Sequence, residues 1–152
     1  MDGHQYTARF EAPGGVPVLD VYLDTLGVPT VGLGHTGRDV KMGDHWPSDR
    51  CWHAFYNDYA IATGHAPHII GADCWSRLNE PRKSVLVDLC FNPGPTKLVA
   101  FHDTLAAIRI GNWQRAHDEL LDSLYARQVK TRARMNAATL LTGVWPNEAA
   151  VG

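Results

Sequence analysis

The sequence predicts an α+β fold: a small N-terminal lobe built on one β-hairpin, about 12–47, and a larger helical lobe, about 48–145, with a cleft between them. Three observations carry this. Apolar and polar residues alternate from Val18 to Asp24 and a short run returns from Thr30 after a tight turn. Beyond Pro47 the apolar spacing becomes helical and stays helical. The 152 residues, 45% hydrophobic and 20% charged, suit one catalytic-sized domain with a real core.

The elements follow in order. Gln5 to Glu11 is a short helix with Tyr6 and Phe10 on one face, and Pro13-Gly14-Gly15 breaks it. In the first strand Leu19, Val21 and Leu23 point one way, and Asp20, Tyr22 and Asp24 the other. Leu26-Gly27-Val28-Pro29 makes the turn, and Thr30-Val31-Gly32-Leu33 is the second strand. Gly32 and Gly34 are expected to leave open space for a ligand to approach the backbone. Thr36 to Pro47 is polar, with two glycines, and predicts a loop. Ser48 opens a helix to about Thr63 with Trp52, Phe55, Tyr59 and Ala62 on its buried stripe. A short helix surrounds Trp75, and Asn79-Glu80-Pro81 starts another that Pro93-Gly94 stops. Lys97 to Arg109 is one further helix, Asn112 caps one reaching about Arg127, and the last spans Thr131 to Leu141.

Composition excludes several classes. A net charge of −2 gives no global basic field for nucleic acid or anionic lipid. No apolar run is long enough to cross a bilayer, and the first residues lack a signal-peptide pattern, so synthesis in the cytoplasm is expected. Cys51, Cys74 and Cys90 lack metal-type spacing and are expected to be buried thiols. The eight histidines form no metal motif, so no metal is expected. Arg127, Lys130, Arg132 and Arg134 form a basic cluster: either a solvated helix start or a wall that holds an anionic polymer.

The segment from Phe10 to His35 carries the chemistry. Glu11 closes the first helix, Asp24 precedes the hairpin turn, and Thr30 follows it. Hydrolysis of a glycosidic bond needs this set: an acid to protonate the leaving oxygen, and a separate carboxylate with a hydroxyl to hold water. Asp24 and Thr30 flank one turn and can meet on one face; an Asx-turn at Asp24 accounts for the spacing equally well. Asp20 competes with Asp24 because it shares that strand face. His35 ends a Gly-x-Gly-His run and is expected to pair with a helix carboxylate, with Asp58 as the candidate.

Glu11, Tyr22-Leu23-Asp24-Thr25 and Thr30-Val31-Gly32-Leu33-Gly34-His35 together resemble the phage-type lysozymes. The resemblance continues through Phe55-Tyr56-Asn57-Asp58, Asp88-Leu89-Cys90-Phe91-Asn92-Pro93-Gly94 and Arg132 to Thr142-Gly143-Val144-Trp145. The resemblance implies that Glu11 is the general acid and that Asp24 and Thr30 position the attacking water. It implies cleavage of the β-1,4 bond between N-acetylmuramic acid and N-acetylglucosamine in peptidoglycan, with inversion and no cofactor. It places Gly34, Thr36, Phe91 and Asn92 against the glycan. It implies that Arg132 pairs with the catalytic glutamate and that His35 and Asp58 form a structural ion pair. The Glu11-to-Asp24 interval exceeds the family's by about a tight loop, which Pro13, Gly14 and Gly15 are expected to absorb. Asp20, at the usual interval, is the alternative second carboxylate.

The expected setting is a monomeric endolysin. It waits in the host cytoplasm and reaches periplasmic peptidoglycan through a pore made by a holin, without inserting in the membrane or binding nucleic acid. The alternatives are a virion-associated muramidase and, from another class, a catalytically silent glycan-binding domain.

Overall fold

A computed structural model describes residues 1–99 and 101–146 of the chain. It is an α+β molecule, with one two-stranded antiparallel sheet and a majority of helix among the described residues. The chain divides into two compact units, His4–Ile61 and Ala62–Gly152 with Met1–Gly3. The division falls inside a helix, whereas the sequence suggested a boundary near residue 47.

The first unit starts with α1 (Gly3–Glu11), whose Tyr6 and Ala8 are buried. Tyr6 and Phe10 meet edge to face at 5.4 Å. A 3₁₀ turn over Pro13–Gly15 leads into β1 (Val18–Leu23), which pairs with β2 (Pro29–Gly32). The pairing is irregular. Val18 faces Gly32 but Tyr22 faces Thr30, so β1 advances four residues while β2 advances two. The displaced middle of β1 bonds elsewhere: Trp46 N donates to Leu19 O at 2.8 Å and Val21 N donates to Asp44 O at 3.1 Å. The bulge therefore absorbs part of the long Glu11-to-Asp24 interval that Pro13–Gly15 alone was expected to take up.

That bulge also corrects the strand's facing. Val21 is buried, but Leu23 is 54% exposed, because it lies beyond the core at the hairpin end, opposite Pro29. The core of this unit is Val21, Val31, Val40, Trp46, Cys51 and Ala54, with Leu19 against it. Two of these, Val40 and Trp46, come from the polar loop, which is thus tied to the sheet.

α2 (Ser48–Ile70) runs past its expected end at Thr63 and includes Pro67. Proline removes one helical hydrogen bond and usually ends a helix. Here the buried stripe of Tyr59 and Ala62 continues at helical spacing to Ala66 and Ile70, both 1% exposed, and burial outweighs the lost bond.

The second unit holds α3 (Ala72–Arg77), α4 (Glu80–Phe91), α5 (Pro95–Leu98), α6 (His102–Arg109), α7 (Trp113–Leu121), α8 (Leu124–Gln128) and α9 (Lys130–Thr142). Two expected helices are each broken in two. The run from Lys97 to Arg109 is interrupted at Phe101, whose φ of −81° and ψ of 51° are not helical, while its ring sits edge to face on Tyr125 at 5.8 Å. The run from Asn112 to Arg127 breaks at Ser123, which is extended and accepts from Ala126 N at 3.3 Å, capping a new helix. Asn79 and Asn112 cap α4 and α7, accepting from Arg82 N and Arg115 N at 3.1 Å each. α9 packs on α7, α4 and α8, burying Ala133, Ala137 and Leu140. Arg82 and Asn79 bind its C-terminal carbonyls: Arg82 Nε donates to Leu140 O at 2.9 Å and Asn79 Nδ2 to Gly143 O at 2.8 Å.

Candidate active site

The hairpin turn determines how Asp24 is presented. Its Oδ1 accepts from Leu26 N at 2.8 Å and Val28 N at 2.9 Å, while its own N–H donates to Val28 O at 3.0 Å. The Asx-turn that the spacing allows is present, and it uses one oxygen only. Oδ2 accepts no hydrogen bond among the described residues. Such a carboxylate is held rigidly by one oxygen and offers lone pairs from the other.

Thr30 is 4% exposed, and its Oγ1 donates to Val28 O at 2.8 Å. Its proton is thereby committed, leaving the hydroxyl oxygen as an acceptor. Tyr22 stands directly across the hairpin from Thr30. The Tyr22 phenol resists ionisation, first because it is partly buried and then because of the charges of Glu11 and of Asp24. Tyr22 therefore lies in the field of both candidate carboxylates.

Glu11 is anchored from the other side by glycine. Gly34 has φ +77°, and a Cβ built there would overlap Glu11 Oε2 and lie 3.2 Å from Glu11 Cδ. Gly32, at φ +70°, is also closely pressed, by Cys51 Cβ at 3.0 Å. The space expected at these two glycines is thus not open. The chain's own Glu11 and Cys51 fill it, and glycine is required because the packing is tight. Glu11 Oε1 is shielded from solvent.

Asp20 is held differently. Its side chain is 83% exposed, and its Oδ1 meets His45 Nδ1 at 2.8 Å, fastening the 36–47 loop to the bulged strand.

His35 follows the glycines. Its Nδ1 lies 2.7 Å from Asp58 Oδ2 and its Nε2 lies 3.0 Å from Asp39 Oδ2. Burial of the ring works against its charge, but the hydrogen bonds and charges of Asp58 and Asp39 prevail and raise its pKa above the usual imidazole value. Sequence reasoning missed Asp39 because it lies in the loop without a motif, although its i,i+4 spacing from His35 was a usable signal. Thr36, next along, is exposed.

The remaining predicted residues belong to the second unit. Phe91 is half-buried at the end of α4, and Asn92 is its exposed C-cap. Arg132 is not a solvated helix start: it is 6% exposed and forms a two-pronged ion pair with Asp88, Nε to Oδ2 at 2.9 Å and Nη2 to Oδ1 at 2.7 Å. Asn136 Nδ2 donates to the same Asp88 Oδ2 at 2.9 Å. Arg134 is exposed, so the basic cluster splits. The structure thus gathers Glu11, Tyr22, Asp24, Thr30 and Gly34 within the first unit, and Asp20 is engaged elsewhere in it.

The likeness to known proteins agrees with this geometry. A family model described as phage lysozyme matches residues 14–136. The chain is 26% identical over 147 residues to the pre-baseplate central spike protein Gp5 of Enterobacteria phage T4, covering 82% of this chain and 26% of that protein. The chain therefore spans about a quarter of the length of the curated relative it matches.

Proposed function

This chain belongs to the phage lysozyme family, with the α+β lysozyme-like fold, and from that premise we propose that it is an N-acetylmuramidase cleaving the β-1,4 bond between N-acetylmuramic acid and N-acetylglucosamine in peptidoglycan. The family is one of glycoside hydrolases acting on peptidoglycan. The observation that supports the finer reading is the hairpin itself: Asp24 keeps one carboxylate oxygen out of its turn, Thr30 pairs with Tyr22 across the strands, and Gly34 lies against Glu11.

Glu11 is the general acid. Its Oε1 is shielded from solvent, and an acid catalyst works from such a screened position. Asp24 and Thr30 hold the attacking water through lone pairs that the turn leaves available. Water attacks the anomeric carbon from the face opposite the leaving oxygen, Asp24 takes its proton, and the sugar inverts. Gly34 and Thr36, with Phe91 and Asn92, contact the glycan. Asp24 is preferred to Asp20 because Asp20 is exposed and occupied by His45.

The test compares three variants on permeabilised bacterial walls. Glu11→Gln and Asp24→Asn abolish clearing, and Asp20→Asn retains it. A larger loss at position 20 than at 24 would reassign the second carboxylate, and clearing by Glu11→Gln would remove the acid.

The setting is that of a monomeric endolysin, held in the host cytoplasm and released by a holin to act on periplasmic peptidoglycan. A virion-associated role is the second reading, and the resemblance to a spike protein favours it. Probing purified particles with an antibody separates the two: the endolysin is absent from them and a virion enzyme is present.

A further inference from the structure

The roles above leave Tyr22 unassigned. It pairs with Thr30 across the hairpin, and Asp24 follows it by two residues. Opposed residues in an antiparallel pair project to the same side with Cβ atoms about 4.5–5.5 Å apart, and Asp24, one residue beyond the end of β1, is tied to the turn by its N–H donating to Val28 O. Tyr22 is 36% exposed, so substrate can reach it. Its hydroxyl makes no hydrogen bond to any described residue. The phenol feels the charge of both carboxylates, and its proton is committed to neither.

The hydrogen-bonding needs of a captured water explain the arrangement. Thr30 Oγ1 has spent its proton on Val28 O, and Asp24 Oδ2 has only lone pairs to offer. These two oxygens accept the two hydrogens of a water. One of its lone pairs must face the anomeric carbon. The other needs a donor, and neither Thr30 nor Asp24 can supply one.

We propose that the Tyr22 hydroxyl is that donor, completing with Thr30 and Asp24 the cage that orients the attacking water. The inference rests on the muramidase reading and adds a group to its site. As the oxygen–carbon bond forms and the glycosidic bond breaks, the water's proton passes to Asp24 and Glu11's proton passes to the leaving sugar oxygen. Tyr22 neither gains nor loses a proton. The rise in its pKa, from partial burial and then from Glu11 and Asp24, keeps it a donor throughout the neutral range.

The experiment is Tyr22→Phe in the full chain, assayed on solubilised peptidoglycan fragments. The ring is retained, so the melting temperature stays with the parent's. Loss of one positioned hydrogen bond lowers kcat roughly tenfold and leaves KM within about twofold. A second variant carries a fluorinated tyrosine, whose phenol ionises nearer neutrality, at position 22. Its alkaline loss of activity moves to lower pH, which a purely structural role would not produce. A Phe variant with kcat within about twofold of the parent overturns the proposal, as does an unmoved pH profile in the fluorinated protein. An active parent with an equally active Phe variant sinks only the Tyr22 inference; a parent releasing no reducing ends sinks the muramidase reading and this one with it.

Discussion

Replacing Gly34 with alanine separates the stability of the fold from the placement of the acid. Gly34 has φ +77°, and an L-residue there costs about 1–2 kcal/mol. For a chain of this size each kcal/mol lowers the melting temperature by roughly 2–4 °C, so a fall of about 2–8 °C is expected. The new methyl would also overlap Glu11 Oε2 and crowd Cδ at 3.2 Å. A carboxylate at the end of a flexible side chain moves more easily than backbone, so Glu11 yields and the fold survives. A displacement on the order of 1 Å in a reacting group costs about a hundredfold in rate. The assay is release of reducing ends from purified peptidoglycan at room temperature, alongside thermal unfolding by circular dichroism. Gly111→Ala is the control. Gly111 has φ +71° with nothing within 4 Å of a built Cβ, so it carries the backbone cost without the collision. Gly34→Ala loses about a hundredfold in rate and Gly111→Ala almost none, with similar losses in melting temperature. A Gly34→Ala protein that loses stability yet keeps its rate within about threefold would refute the claim that this glycine sets the Glu11 carboxyl.

Three other outcomes concern stability and reactivity. The raised pKa of His35 contributes stability that is complete below the usual imidazole value and is lost as pH rises through the raised one; Asp58→Asn should flatten the fall of melting temperature with pH above neutrality, and an unchanged slope would contradict it. Asp88→Ala removes both oxygens on which the buried Arg132 is paired and should cost about 3–5 kcal/mol in denaturant unfolding; a loss under about 1 kcal/mol would show that the pair is dispensable. The three cysteines are buried, and burial pushes the Cys90 thiol up to about 12, so a thiol reagent should label none of them until the protein unfolds.

What was legible in the sequence was chiefly local. The turn residues announce the hairpin, and the Asp24-to-Thr30 spacing needs only that turn to become a pair. Asn79 and Asn112 signal their helix starts through one side-chain bond each. The alternation in β1 hid its bulge, because hydrogen bonds to Asp44 and Trp46 hold the strand out of register and lie far along the chain. The breaks at Phe101 and Ser123 were missed for a similar reason. A helical apolar period persists through a residue whose packing or capping favours another conformation. Arg132 and Asp88 are distant in sequence, and only folding joins them. The two glycines were recognised as points of close approach, but what approaches them is Cys51 and Glu11.

Digestion of purified peptidoglycan, with the fragments reduced and weighed, tests the central claim most directly. The account predicts muropeptides ending in a reducible N-acetylmuramic acid from the parent protein and none from Glu11→Gln. Anhydro ends, reducible N-acetylglucosamine ends, or the same products from Glu11→Gln would contradict it.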